Sequence, residues 1–359
     1  MKMTSRERVM TALKRKDPDR VPFCELAIDR ALAERLMGWP AGEGGYASSL
    51  NTDPYTVEES KALASFLGCD NIGYILRAPT YAHAGVGKDG RTFLGEGMIQ
   101  TEADLERIQL PDPRKDDFYR GAEHFAENRG DFALAFVTRI GLLQTILSMG
   151  TENFALSLYI NRPLVEKILD IYFDWMVIVA KRICQIGFDI FWTTDDFAYK
   201  TGLFFSPAIF RELLVPRYKR VLDNLTIPWF FHCDGNITEV LDILIDLGVA
   251  ATHPNEKGAM DIRAIKRKYG DKICLIGNVD LNLLGLGTPE ETDREVWELI
   301  RDLGPGGGYM ISSGNSLASY LKPECVLAMA EAVRRYGQYP IQLGEWARPA
   351  GRREREGRG

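Results

Sequence analysis

The chain has 359 residues, 45% hydrophobic and 26% charged, values of an ordinary globular protein rather than a fibre or a disordered tract. Lys and Arg number 44 against 50 Asp and Glu, a net charge of −6, so no global field draws the chain to nucleic acid or anionic lipid. No apolar run reaches the ~18 residues that span a bilayer, and 6 cysteines without a CxxC pair read as reduced thiols of a cytoplasmic protein.

The opening stretch is polar, and residues 4–16 read as a leading helix with Thr4 and Glu7 in capping-box spacing. An apolar run at 21–25 follows, then a Gly-, Ser- and Asn-rich stretch at 38–54 that reads as a long loop. A helix-period stretch at 56–67 precedes a second apolar run at 72–76. The alternation then repeats. Runs fall at 133–138, 188–192, 227–231, 249–252, 273–277 and 309–312, and helical stretches at 142–149, 162–186, 207–224, 238–247, 261–269, 289–303 and 323–336. Most runs are continuously apolar, as in parallel strands covered on both faces. Several helices open with proline, whose missing N–H is an orphan donor there anyway. Eight strand–helix units predict an α/β fold of the (β/α)8 barrel type, one domain over 1–347 with a frayed tail at 348–359. An open doubly wound sheet is the competing arrangement, but no GxGxxG follows the first strand.

Catalytic groups of such barrels sit at the C-terminal ends of strands. Those ends give Glu25, Thr138-Arg139, Asp195-Asp196, His232-Cys233-Asp234, His253, Asn278 to Asp280 and Ser312 to Asn315. Polar, titratable types gathered after apolar strands favour an enzyme over a scaffold. Side chains alternate along a strand, so His232 and Asp234 share the cavity face while Cys233 turns outward. A neighbouring carboxylate raises the pKa of a histidine, which makes His232 a proton donor oriented by Asp234. The plainer alternative is a hydrogen-bonded histidine followed by a turn at Asp234-Gly235-Asn236. Asp195 and Asp196 cannot share a face, so one enters the site and the other orients or caps a loop. Glu25 is placed at the mouth, where a lone buried carboxylate needs a partner or a metal. Gly304-Pro305-Gly306-Gly307-Gly308 precedes its strand and so reads as a turn rather than a phosphate loop. The stripe Tyr172, Phe173, Trp175, Met176 reads as helix packing.

Taken in order, several pieces together resemble the uroporphyrinogen decarboxylase superfamily over nearly the whole chain. They are Arg6-Glu7-Arg8 with Asp19-Arg20-Val21-Pro22, Asp195-Asp196, Ser206-Pro207 ahead of Pro216, and His232-Cys233-Asp234-Gly235-Asn236. Lys268-Tyr269-Gly270-Asp271, Gly277-Asn278-Val279-Asp280, Gly287-Thr288-Pro289-Glu290 and Gly307-Gly308-Tyr309 complete the set. The resemblance implies a (β/α)8 barrel with its site at the C-terminal mouth, and a homodimer, as in the decarboxylase itself.

Two branches of that family differ in chemistry. The decarboxylases carry an arginine-rich segment after the first strand that grips the porphyrinogen carboxylates; here it reads Leu26-Ala27-Ile28-Asp29-Arg30-Ala31, with one arginine and an aspartate. Corrinoid-dependent methyltransferases hold zinc through an HxC motif and a later cysteine; here these positions resemble His232-x-Asp234 and Asn315. The likeness therefore implies a methyltransferase that moves a methyl group from a small methylated, methoxy-aromatic type of donor to a corrinoid protein. His232, Asp234, Asp195 and Glu25 are its expected catalytic groups, and Asp196, Asn236, His253, Asn278 and Asn315 its substrate contacts. His232, Asp234 and Glu25 would hold a metal, zinc by the resemblance. A decarboxylase or lyase of a small carboxylate is the alternative activity, and a ligand-binding barrel without catalysis the third reading.

Overall fold

The computed structural model describes residues 2–41, 51–86, 92–342 and 344–348. Seven parallel strands form one sheet: β1 (Asn71–Ile75), β2 (Ala133–Thr138), β3 (Ile190–Thr194), β4 (Trp229–His232), β5 (Val249–His253), β6 (Cys274–Ile276) and β7 (Tyr309–Met310). Each pairs with the next in chain order, the neighbour order of successive strand–helix units wound into a barrel. The extended segment 21–25 closes the circle. Phe23 bridges to Ile311 beyond β7, and the Asp70 N–H, at the start of β1, donates to the Phe23 carbonyl at 2.6 Å. Eight extended segments thus form the barrel that the eight apolar runs predict.

Two apolar layers explain why the runs are continuous. Cys24, Ile75, Val137, Trp192, Phe230, Ala251, Cys274, Ile276 and Met310 fill the barrel interior. Their neighbours Phe23, Leu76, Phe136, Phe191, Phe231 and Leu275 face outward into the sleeve packed by the helices. The leading helix, Ser5–Leu13, carries the predicted capping box of Thr4 and Glu7. It contributes Val9, Ala12 and Leu13 to the interior cluster, so it plugs the end of the barrel opposite the mouth.

The helices Leu142–Met149, Arg162–Ile186, Pro289–Leu303 and Pro323–Tyr336 have the predicted bounds. The stretch 207–224 does not form one α-helix. It runs as Pro207–Ile209, a π-turn over Phe210–Leu214 and Val215–Leu222, because Pro216 has no N–H to donate back into the preceding turn. Sequence patterning misses the antiparallel hairpin Ala82–Val86 with Thr92–Gly97, and the helices Arg30–Met37, Arg120–Asn128, Thr151–Ile160 and Leu281–Leu286. The glycine run before β7 is a turn, with Gly306, Gly307 and Gly308 at positive φ. A Cβ on Gly307 would lie 2.5 Å from the Lys16 backbone, at the plugged end of the barrel. The stripe Tyr172, Phe173, Trp175 and Met176 is buried packing. Most of the predicted loop at 38–54 and nearly all of the predicted tail lie outside the described residues. Among the described residues no helix is long and apolar enough to cross a membrane.

Candidate active site

Strand alternation, counted from the interior cluster, sorts the polar residues at the mouth. Trp192 faces in, so Asp196 faces in and Asp195 faces out; Phe230 faces in, and so do His232 and Asp234. Cys233 packs in the outer sleeve, where its Sγ accepts from the Phe197 N–H at 3.4 Å. Burial holds that thiol well above its ordinary pKa, so no thiolate is offered to the mouth.

Asp196, His232 and Asp234 converge, with one ligand atom of each inside a mutual distance of 4.8 Å. His232 Nε2 stands 3.7 Å from a carboxylate oxygen of Asp196 and 3.7 Å from one of Asp234. The same Asp196 oxygen accepts the Asp234 N–H at 2.8 Å, which fixes the two acids relative to each other. Asn315 donates to Asp234 Oδ2 at 2.6 Å, whereas Asp234 Oδ1 is shielded from solvent and has no hydrogen-bond partner among the described residues. Burial first, then the negative charges of Asp196 and Glu256, push the Asp234 carboxyl well above the ordinary carboxylate range.

His232 behaves oppositely to the expectation from its carboxylate neighbours. Burial lowers its pKa, and Arg77 adds to that, outweighing the attraction of Asp196 and Glu256. The imidazole is neutral at neutral pH. Its Nδ1 lies 2.7 Å from His253 Nδ1, and His253 Nε2 lies 3.1 Å from Ser312 Oγ. Burial and then the second ring hold His253 well below its ordinary value. His253 thus orients His232 from behind instead of lining the cavity beside it.

Four other expected site residues have structural partners. Asp195 is fully buried and turned away from the mouth, accepting the Ile140 N–H and Leu143 N–H at 2.8 Å each. It caps the helix Leu142–Met149, while Asp196 takes the place in the site. Glu25 stands apart from the cluster, taking the Ser313 N–H at 2.8 Å and the Ser313 hydroxyl at 2.7 Å. Burial raises it to about 8, so it is a protonated, serine-bound carboxylic acid at neutral pH rather than a metal ligand. Asn236 accepts the Thr238 N–H at 3.0 Å within a turn. Asn278 donates to the Asn255 carbonyl at 2.5 Å and holds the loop after β5.

Sequence reasoning left out two residues that bear on the site. Glu256 accepts the Gly235 N–H at 2.7 Å and raises the Asp234 carboxyl. Arg77, two residues past the inward-facing Ile75, is buried and acts on His232. The donors that do come together are one imidazole and two carboxylates. They fit a divalent cation with nitrogen and oxygen ligands, zinc included, and offer no thiolate.

A family model described as "Uroporphyrinogen decarboxylase (URO-D)" matches residues 92–336. The chain is 24% identical over 261 residues to the uroporphyrinogen decarboxylase of Sodalis glossinidius, covering 67% of this chain and 70% of that one. It is 26% identical over 197 residues to that of Dechloromonas aromatica, where the match spans about half of each protein, 52% and 53%. Among solved structures it resembles a methyltransferase from Methanosarcina mazei, with a TM-score of 0.72 at 19% identity over 93% of this chain and 99% of that one. A B12-independent methionine synthase from Shewanella sp. W3-18-1 shares the fold more loosely, with a TM-score of 0.51 at 12% identity over 78% and 86% of the two chains. The matched segment takes in six of the eight barrel segments, β2 to β7, and closes with the last helix, and on that span the chain belongs to the uroporphyrinogen decarboxylase family.

Proposed function

We propose that this chain is a methyltransferase that takes a methyl group from a small methylated donor, a methoxy-aromatic in its simplest form, and passes it to the corrinoid of a partner protein. The convergence of Asp196, His232 and Asp234, with Asp234 Oδ1 shielded and unpartnered, carries this reading. The fold likeness to the Methanosarcina mazei methyltransferase supports it.

Methyl transfer from an ether breaks the methyl carbon–oxygen bond and sends its electron pair to the departing oxygen. An aryl oxide leaves poorly unless that oxygen is protonated or bound to a Lewis acid. Asp234, with its raised pKa, holds a proton at neutral pH and can deliver it to the departing oxygen. His232 is fixed by His253 and presents Nε2 to the same point. Asn315 keeps the Asp234 carboxyl from turning away. A divalent cation held by Asp196, His232 and Asp234 would supply Lewis acidity to the same oxygen in place of that proton.

Decarboxylation of a small carboxylate is the second reading, supported by the names of the sequence relatives. Uroporphyrinogen itself fits poorly. Arg30, the single arginine of the segment after the first extended stretch, is paired with Glu34 at 3.2 Å and Glu59 at 2.8 Å. Asp29 accepts the Ser319 N–H at 2.8 Å in the same region. Anaerobic incubation with free cob(I)alamin and a panel of methoxy-aromatics tests the first reading. Methylcobalamin should appear; release of carbon dioxide from a supplied acid, without methylcobalamin, would favour the second.

A further inference from the structure

The net charge of −6 hides a local reversal at the plugged end of the barrel. Two basic runs meet there: Lys14-Arg15-Lys16 after the leading helix, and Lys266-Arg267-Lys268 in the last turn of the helix Ile262–Tyr269, with Lys272 just beyond. Contacts around the glycine turn before β7 bring them to one face. A Cβ on Gly308 would lie 3.2 Å from Arg15 Cγ and 3.4 Å from Lys266 Nζ, and Lys266 donates to the Gly307 carbonyl. Arg15 Nη1 donates to the Lys272 carbonyl at 3.4 Å, and Lys268 Nζ rests over the Tyr269 ring at 4.6 Å. Lys14, Arg15, Lys16, Arg267, Lys268 and Lys272 are exposed, and none of these makes an ion pair among the described residues.

Local compensation falls short of these charges. Asp17 acts on Lys266 and Asp242 on Lys268, and Asp271 is the other acid beside the two runs. Asp302 is taken by Arg263 and Arg301, at 2.6 Å each. Two helix C-termini end here, and each offers only about half a negative charge. Arg15 sits there at a conformational cost. Its N–H donates to the Ala12 carbonyl at 2.9 Å and the Lys16 N–H to the Thr11 carbonyl at 3.3 Å, a helix ending that glycine usually closes, and Arg15 takes a φ of 56° to close it. A cation stands where the backbone favours glycine. Among the described residues no exposed large apolar side chain lies on these segments, so the face has no stacking platform for single-stranded nucleic acid. Its cations spread over the end of a barrel, a form that suits a broad anionic surface.

We propose that this basic face docks the protein on an anionic lipid bilayer, with the mouth of the barrel turned away from the membrane and open to donor and partner. Docking of this kind does not depend on the reaction at the mouth. Each Lys or Arg near an anionic bilayer adds roughly fivefold to binding, an attraction that salt screens. Co-sedimentation of the intact protein with vesicles of phosphatidylcholine, with and without phosphatidylserine, tests it. Vesicles containing phosphatidylserine should bind about tenfold more tightly or better, and that preference should fade as salt is raised. Arg15→Gly removes a cation while easing the backbone, so it should fold as wild type does and lose about fivefold in binding. Lys268→Glu combined with Lys272→Glu, a double reversal at exposed positions, should abolish the preference. Equal binding to both kinds of vesicle, or a preference that survives the double reversal in folded protein, would overturn the docking face. Tighter binding to duplex DNA than to phosphatidylserine vesicles at the same salt would overturn it too, by assigning the face to nucleic acid.

Discussion

The Nδ1 atoms of His232 and His253 lie 2.7 Å apart, and this one contact sets the orientation of the site. The pairing leaves His232 Nε2 as the atom that faces Asp196 and Asp234. One Nδ1 donates and the other accepts. If Nε2 is to present a lone pair, His232 Nδ1 must be the donor and His253 the acceptor. His253 is therefore a positioning residue. His253→Phe should lower kcat and divalent-cation affinity by about 10- to 100-fold, as loss of an orienting partner does elsewhere. Steady-state kinetics and a metal titration check this, with KM for the methyl donor nearly unchanged.

Cys233 sits between two site residues but faces the outer sleeve. Cys233→Ser should leave metal content and activity near wild type. Its cost should appear in stability, about 1 kcal/mol for a hydroxyl placed among apolar neighbours. Elemental analysis paired with thermal melting reads both effects, and loss of bound metal in this variant would refute the assignment of its face.

Adjacent aspartates should separate cleanly by phenotype. Asp195→Ala removes the acceptor of two N–H groups at the start of the helix Leu142–Met149, and should cost about 1–2 kcal/mol of stability. Asp196→Ala should leave the melting temperature close to wild type and abolish turnover. Equal loss of activity per folded molecule in both variants would contradict the division of roles.

Glu25 titrates at about 8 in the folded chain against 4.5 for an ordinary glutamate. The folded state therefore holds this proton more tightly than the unfolded state does. The stability so gained is complete below the unfolded value and is lost as pH rises through the folded one. Glu25→Gln cannot ionise, so the melting temperature of wild type should fall more than that of the variant between pH 6 and pH 9. Parallel melting curves over that range would show that Glu25 is already ionised.

Much of the barrel was legible because its strands are apolar on both faces and its helices carry periodic patterns with caps. The same continuity hid which face is which. From Ile190 to Trp192 every residue is apolar, so the strand itself does not say that Trp192 points inward and hence that Asp196, not Asp195, enters the site. For His232 and Asp234 the relative alternation sufficed, since they share a face whichever face that is. Arg77 escaped notice because the apolar run ends at Leu76, one residue before the strand direction stops mattering. The lowered pKa of His232 depends on burial and on Arg77, which lies in a different strand–helix unit. The hairpin strand Ala82–Val86, AHAGV, has too little apolar alternation to announce itself.

Transfer of an isotopically labelled methyl group tests the central claim most directly. Wild-type protein, cob(I)alamin and a methoxy-aromatic donor carrying a 13C methyl group should yield labelled methylcobalamin by mass spectrometry, with the demethylated phenol in equal amount. His232→Ala, folded by circular dichroism, should yield neither. Labelled methylcobalamin formed at the wild-type rate by His232→Ala would contradict the account, because the reacting group would then lie outside the cluster of Asp196, His232 and Asp234.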